Sequence, residues 1–117
     1  MQNFKDLIVW KKAHENALLV YNSTKGFPKD ELFGITSQIR RAAVSIPTNV
    51  AESCGKFTKK DFANFLQIAF GSAQEVEYLS LLSFELDYFN KIQFQKIEST
   101  NNEVKAMLIS LIKKVRA

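Results

Sequence analysis

The sequence predicts an all-α fold: one domain, residues 1–117, arranged as an antiparallel up-down-up-down bundle of four helices. Three observations carry that expectation. Four segments repeat apolar residues at three- and four-residue steps, and none alternates as a strand would. The breaks between them are short and hold Gly26, Phe27-Pro28, Gly55 and Asn90, so successive helices must lie side by side and antiparallel. At 117 residues, 46% of them hydrophobic and ten of them Phe, the chain can fill one core but not two.

The first helix is expected from about Phe4 to Lys25, with Leu7, Trp10, His14, Ala17, Leu18 and Tyr21 on its apolar face. His14 is read there as a satisfied core histidine. Gly26 is placed to end the helix in the left-handed conformation, and Phe27-Pro28 prevents continuation. The second helix starts near Lys29 to Glu31, where acidic residues suit the positive end of the dipole, and Gly55 closes it. Its stripe is Ile35, Ile39, Ala42, Ala43, Ile46 and Val50. Pro47 removes a backbone donor and displaces the Ala43 carbonyl, so the second helix should be kinked between Ala43 and Pro47.

Thr58-Lys59-Lys60-Asp61 is a capping-box variant that opens the third helix, which continues to about Asp87. Phe62, Leu66, Ala69, Ala73 and Val76 form its core stripe. The fourth helix begins after Asn90 and carries Ile97, Val104, Leu108, Leu111 and Val115. Asn101 interrupts that stripe, a substitution that sets register more often than it does chemistry.

Composition narrows the function classes. The longest apolar run falls well short of the ~20 residues of a membrane span, so no membrane partner is expected. The amino end lacks the apolar core and small-residue site of a secretory leader, and Cys54 is the only cysteine; both favour the cytoplasm. One His and one Cys cannot build a zinc site, and no base is placed beside Cys54. The Glu-x-x-His pairing of di-iron bundles and any glycine-rich phosphate loop are missing. We therefore expect no enzyme and no cofactor.

The net charge of +4 and pI near 9.2 permit nucleic acid binding without requiring it. The distribution is more telling. Between Phe62 and Asn90 there is no Lys or Arg, only Glu75, Glu77, Glu85 and Asp87.

Two helices carry features that a solvated surface does not need. On the second, Gln38, Arg41, Ser45, Thr48, Asn49 and Glu52 lie away from the core stripe. Short polar side chains compete with the helix for backbone bonds but suit close approach by another chain. On the third, Ile68, Phe70, Leu79, Leu81, Leu82 and Leu86 spread to both sides of the stripe, and Gly71 sits opposite it. An apolar circumference and an exposed glycine point to a partner subunit. Candidate interface residues are Arg40, Arg41, Ser45, Asn49, Glu52, Phe70, Gly71, Glu75, Leu81 and Leu82. Arg40 and Arg41 differ by about 100° around the helix and should do different work. One is expected to meet a neighbour's carboxylate, at the position of Glu52 or Glu75.

A run of motifs then brings a family into view. Trp10-Lys11-Lys12-Ala13 is followed by Phe27-Pro28 with Glu31. Next comes the unbroken stretch from Gln38 to Glu52, QIRRAAVSIPTNVAE, and then Phe65 to Ser72 with Glu75. In order and spacing these resemble the bacterial four-helix-bundle proteins encoded in intervening sequences of 23S ribosomal RNA genes, a family labelled S23 ribosomal protein. The resemblance spans nearly the whole chain. It implies a homo-oligomer, most naturally a pentamer, and is similar also to the accessory subunit of diversity-generating retroelements, which engages a reverse transcriptase and nucleic acid. The sequence departs from the family pattern at Ser53-Cys54, between Glu52 and Gly55, so Cys54 gains no family role.

Two classes of function stay open. The first is an oligomer that binds ribosomal RNA or other nucleic acid through Lys11, Lys12, Arg40, Arg41, Lys56, Lys59, Lys60, Lys113, Lys114 and Arg116, its charge multiplied about a symmetry axis. The second is a scaffold whose surface docks a protein partner such as a nucleic-acid enzyme. The first is the working expectation.

Overall fold

Four helices, α1 (Ile8–Ser23), α2 (Ile35–Ser53), α3 (Lys59–Glu85) and α4 (Lys91–Arg116), make the bundle in a computed structural model that describes residues 2–117. Among the described residues there is no strand. Each helix packs on its two neighbours, α4 closes back onto α1, and the diagonal pairs stay apart. The result measures 43 × 23 × 20 Å. No helix is long and apolar enough to cross a membrane.

α1 departs most from expectation. Phe4–Asp6 form a separate 3-10 turn, capped by Asn3 Oδ1 accepting from the Lys5 amide, and Leu7 is extended. The helix ends at Ser23, where the Thr24 hydroxyl donates to the Val20 carbonyl at 2.8 Å. Gly26 has no positive φ, so the expected left-handed cap is absent. The buried face is Val9, Ala13, Asn16, Ala17 and Val20. Leu18 and Tyr21 lie outside it, exposed, and only Ala17 of the expected stripe is buried. His14 is therefore no core histidine: it is exposed and stacks on Trp10, ring centroids 4.9 Å apart. The reason is volume. Small residues on α1 let the helices approach, while its largest side chains are pushed to the flanks.

α2 buries all six residues of its expected stripe. It begins later than expected, after a 3-10 turn at Lys29–Glu31. Gly34 precedes it, and a Cβ there would stand 2.6 Å from Glu31 Oε1, so a larger residue would displace that carboxylate. The helix is unbroken through Pro47, which is buried. Around that position polar side chains turn back on the helix. Thr48 donates to the Val44 carbonyl and Asn49 to the Ser45 carbonyl, each at 2.8 Å. Neither bond reaches the Ala43 carbonyl, the one that Pro47 deprives of its amide donor.

On α3, Thr58 Oγ1 accepts from the Asp61 amide, as the capping variant requires. Leu66, Ala69, Ala73 and Val76 are buried and Phe62 half-buried. Part of the extra apolar surface is absorbed within the chain: Leu79 joins the core, and Phe70 and Leu82 pack against its edge. Ile68, Leu81 and Leu86 stay exposed. After α3 the chain reverses through Asp87, at φ 63°, a left-handed conformation that Asp tolerates better than most residues. The amides of Tyr88 and Phe89 both donate to the Ser83 carbonyl. That turn drives Phe89 into the core against Phe27. Asn90 and Gln93 then cap α4 reciprocally.

Asn101 does hold register. It is buried among Ile97, Val104 and Leu108 and donates from Nδ2 to the Ala73 carbonyl of α3 at 2.9 Å. Its Oδ1 accepts from Asn16 Nδ2 of α1 at 3.3 Å. One side chain thus ties three helices.

Candidate nucleic-acid interface

The turns fix which cations can meet. The α1–α2 and α3–α4 connections share one end of the bundle, closed by Phe27, Tyr88 and Phe89. The other end gathers the start of α1, the α2–α3 connection and the last turn of α4. There Lys56, Lys59 and Lys114 line a single cleft of about 310 Å³, together with Cys54, Phe57 and Thr58. Lys60, Lys113 and Arg116 stand beside them in sequence.

Local sequence explains the geometry. Amides of Cys54, Gly55 and Lys56 bond back to the carbonyls of Ala51, Glu52 and Ser53, so the chain leaves α2 in a tight descent. Thr58 then restarts the helix. Phe57 is left standing between the two helices, 91% exposed. Lys56 Nζ lies 4.4 Å from the centroid of the Phe65 ring.

The electrostatics separate two kinds of lysine. Lys113, Lys114 and Arg116 fill the last turn of α4, where a cation complements the helix dipole. Lys59 and Lys60 occupy the first turn of α3, where the dipole opposes them by about 0.3–1 kcal/mol each. Folding alone gives no reason for that placement. Among the described residues none of these six cations is ion-paired; Arg116 donates to the neutral Gln67.

The remaining candidates divide. Lys12 spends its charge on Glu103 of α4 at 3.3 Å and on Glu15, and these carboxylates hold its ammonium above the ordinary lysine range. Lys11 is exposed on the same turn. Arg40 is committed within the chain: its Nε donates to Thr24 at 2.8 Å and its guanidinium lies 4.8 Å from the Tyr21 ring. Arg41 is exposed and makes no ion pair among the described residues; it lines a polar cleft between α2 and α3 with Ser45, Ser72 and Glu75. Ser45 is itself bonded to Ser72 across that seam at 2.8 Å, and Asn49 to Ser45. Gly71 faces open space. Glu52 borders an apolar groove between α1 and α2, floored by Trp10, Ala17 and Pro47 and edged by Leu18, Tyr21 and Val44. Sequence reading did not find that groove, because it placed Leu18 and Tyr21 inside. Burial pushes the Cys54 thiol up.

The family model for the 23S rRNA-intervening sequence protein matches residues 5–110. The fold is similar to the crystal structure of a protein of unknown function from the S23 ribosomal protein family of Bacteroides thetaiotaomicron. The two are 32% identical, with a TM-score of 0.84, over 91% of this chain and 99% of that one. No curated protein matches.

Proposed function

The chain belongs to the 23S rRNA-intervening sequence protein family, and from that premise we propose that it is a nucleic-acid-binding bundle that works as a homo-oligomer rather than as a catalyst. The observation that carries the binding reading is the convergence of Lys56, Lys59 and Lys114 on one cleft, free of carboxylates, with two of the six local cations set against a helix dipole. Phosphates would relieve that repulsion, and RNA is the polyanion the family description brings nearest. Supporting the assembly reading is the apolar groove between α1 and α2, a surface a lone bundle leaves wet. A second copy would cover it, and five copies is the number the resemblance leads us to expect.

The test is a salt titration of RNA binding by fluorescence anisotropy. Changing Lys56, Lys59 and Lys114 together to Ala should weaken binding and lower the slope of log K against log salt by about two, at roughly 0.7 for each phosphate no longer neutralised on a single strand. An unchanged slope would remove this cleft from the reading. Sedimentation of the wild type at micromolar concentration tests assembly separately, and a stable monomer would defeat it.

A further inference from the structure

Phe57 is the large apolar residue that the bundle's packing does least to explain at this end. It follows Lys56, precedes the cap of α3, and lines the same cleft as the three lysines while showing 91% of its surface. We propose that this end takes single-stranded nucleic acid, with a phosphate among Lys56, Lys59 and Lys114 and the adjoining base stacked on the face of Phe57; the inference rests on the nucleic-acid reading above and specifies its ligand.

Access to the base faces favours a single strand. In a duplex those faces are already stacked on one another, and a protein aromatic meets only sugar and phosphate edges. An unpaired base offers its face freely, and an exposed ring beside a cationic groove is the arrangement that uses it. The cleft is of a size for one phosphate with its sugar, and Phe57 on its wall keeps most of its ring open as a platform. Lys56 couples the two parts, since it is adjacent to Phe57 and is itself braced against the Phe65 ring. Stacking of this kind tolerates any base, so the expected recognition is of strand state and not of sequence.

The fold contains its own control. Phe33 is equally bare, at 93% exposed, but lies at the opposite end, where Asp30 and Glu31 offset the charge of Lys29 in the preceding turn. Two rings of equal exposure thus differ in their electrostatic surroundings.

The experiment uses the whole chain and two labelled probes at low salt, a ten-nucleotide oligouridylate and a ten-base-pair RNA duplex. The oligouridylate should bind at least about tenfold tighter than the duplex. Phe57→Ala should cost about tenfold on the single strand and little on the duplex, while Phe57→Tyr restores binding and Phe33→Ala changes nothing. Circular dichroism checks that each variant is folded, as expected for exposed positions. Equal affinity for both probes, or a Phe57→Ala variant that binds the single strand like the wild type, overturns this inference and leaves the lysine cleft standing. Failure of both probes to bind overturns the nucleic-acid reading as well.

Discussion

Replacing Asn101 by Ala tests the most connected side chain in the core. Asn101 is 1% exposed and links α4 to the Ala73 carbonyl and to Asn16. The carbonyl of Ala73 keeps its helical partner when Asn101 is removed. Asn16 does not fare as well: its Oδ1 already lacks a partner, and the substitution orphans its Nδ2 too. Leaving a buried amide unpaired costs about 1–3 kcal/mol, and the truncated volume adds about 1 kcal/mol. We expect a loss of about 3 kcal/mol. With an unfolding entropy of about 2.1 cal/mol/K per residue, a chain of 117 residues should melt about 12 °C lower. Urea unfolding at fixed protein concentration reads the loss directly. The decisive comparison is the pair Asn16→Leu, Asn101→Leu, which removes both polar groups and should fall within about 1.5 kcal/mol of wild type. A single Asn101→Ala variant that loses under 1 kcal/mol, or a double variant whose loss equals the sum of the singles, would refute the reasoning.

Other expectations rest on single contacts. Gly71→Ala places a methyl in open space on a helix and should stabilise the chain by about 1 kcal/mol in thermal melts; a loss instead would show that a second chain packs there. Gly34→Ala should push the Glu31 carboxylate away from the Tyr88 hydroxyl, which it meets at 2.9 Å, and cost about 1 kcal/mol in urea; a neutral substitution would mean Glu31 has another equal position. Hydrogen bonding to Glu31 raises the Tyr88 phenol above its ordinary value. Its contribution to stability is therefore full below that value and fades as pH climbs through the folded one. Ultraviolet titration should show a late phenol that Tyr88→Phe abolishes, and its survival in that variant would reassign it.

How much was legible depended on side-chain size. All six residues expected in the α2 stripe are buried, because they fall at helical steps among mostly charged and polar neighbours; the burial of Thr36, Pro47 and Ser53 was not legible. The α1 face could not be read, because Leu7-Ile8-Val9-Trp10 is apolar at every phase and the face that packs is built from Ala13, Asn16 and Ala17. Hydrophobicity ranks Leu18 and Tyr21 above those three, whereas close helix approach selects the small ones. Asn101 stood out by interrupting its stripe, yet its partner Asn16 lies 85 positions away and carries no local sign. The lysines were visible as residues. Their sorting was not: only tertiary neighbours show that Lys12 and Arg40 are committed while Lys56, Lys59 and Lys114 converge. The apolar surplus on α3 pointed to exposed surface, but half of it folds inward in the chain itself.

The closure of α4 onto α1 has a consequence in time. The other three helix pairs are neighbours in sequence, joined by connections no longer than Thr24 to Gly34, so each can form while the rest of the chain is loose. The α1–α4 seam joins segments separated by most of the sequence, as the Asn16–Asn101 bond shows, and the entropy of closing that long loop delays it. Contacts made after the transition state leave the folding rate alone and act on unfolding. Substitutions at Lys12, Asn16 or Glu103 should therefore lift the unfolding arm of a chevron plot and spare the refolding arm. The seam sets how long the bundle lasts, and the sequence-adjacent pairs set how fast it is reached.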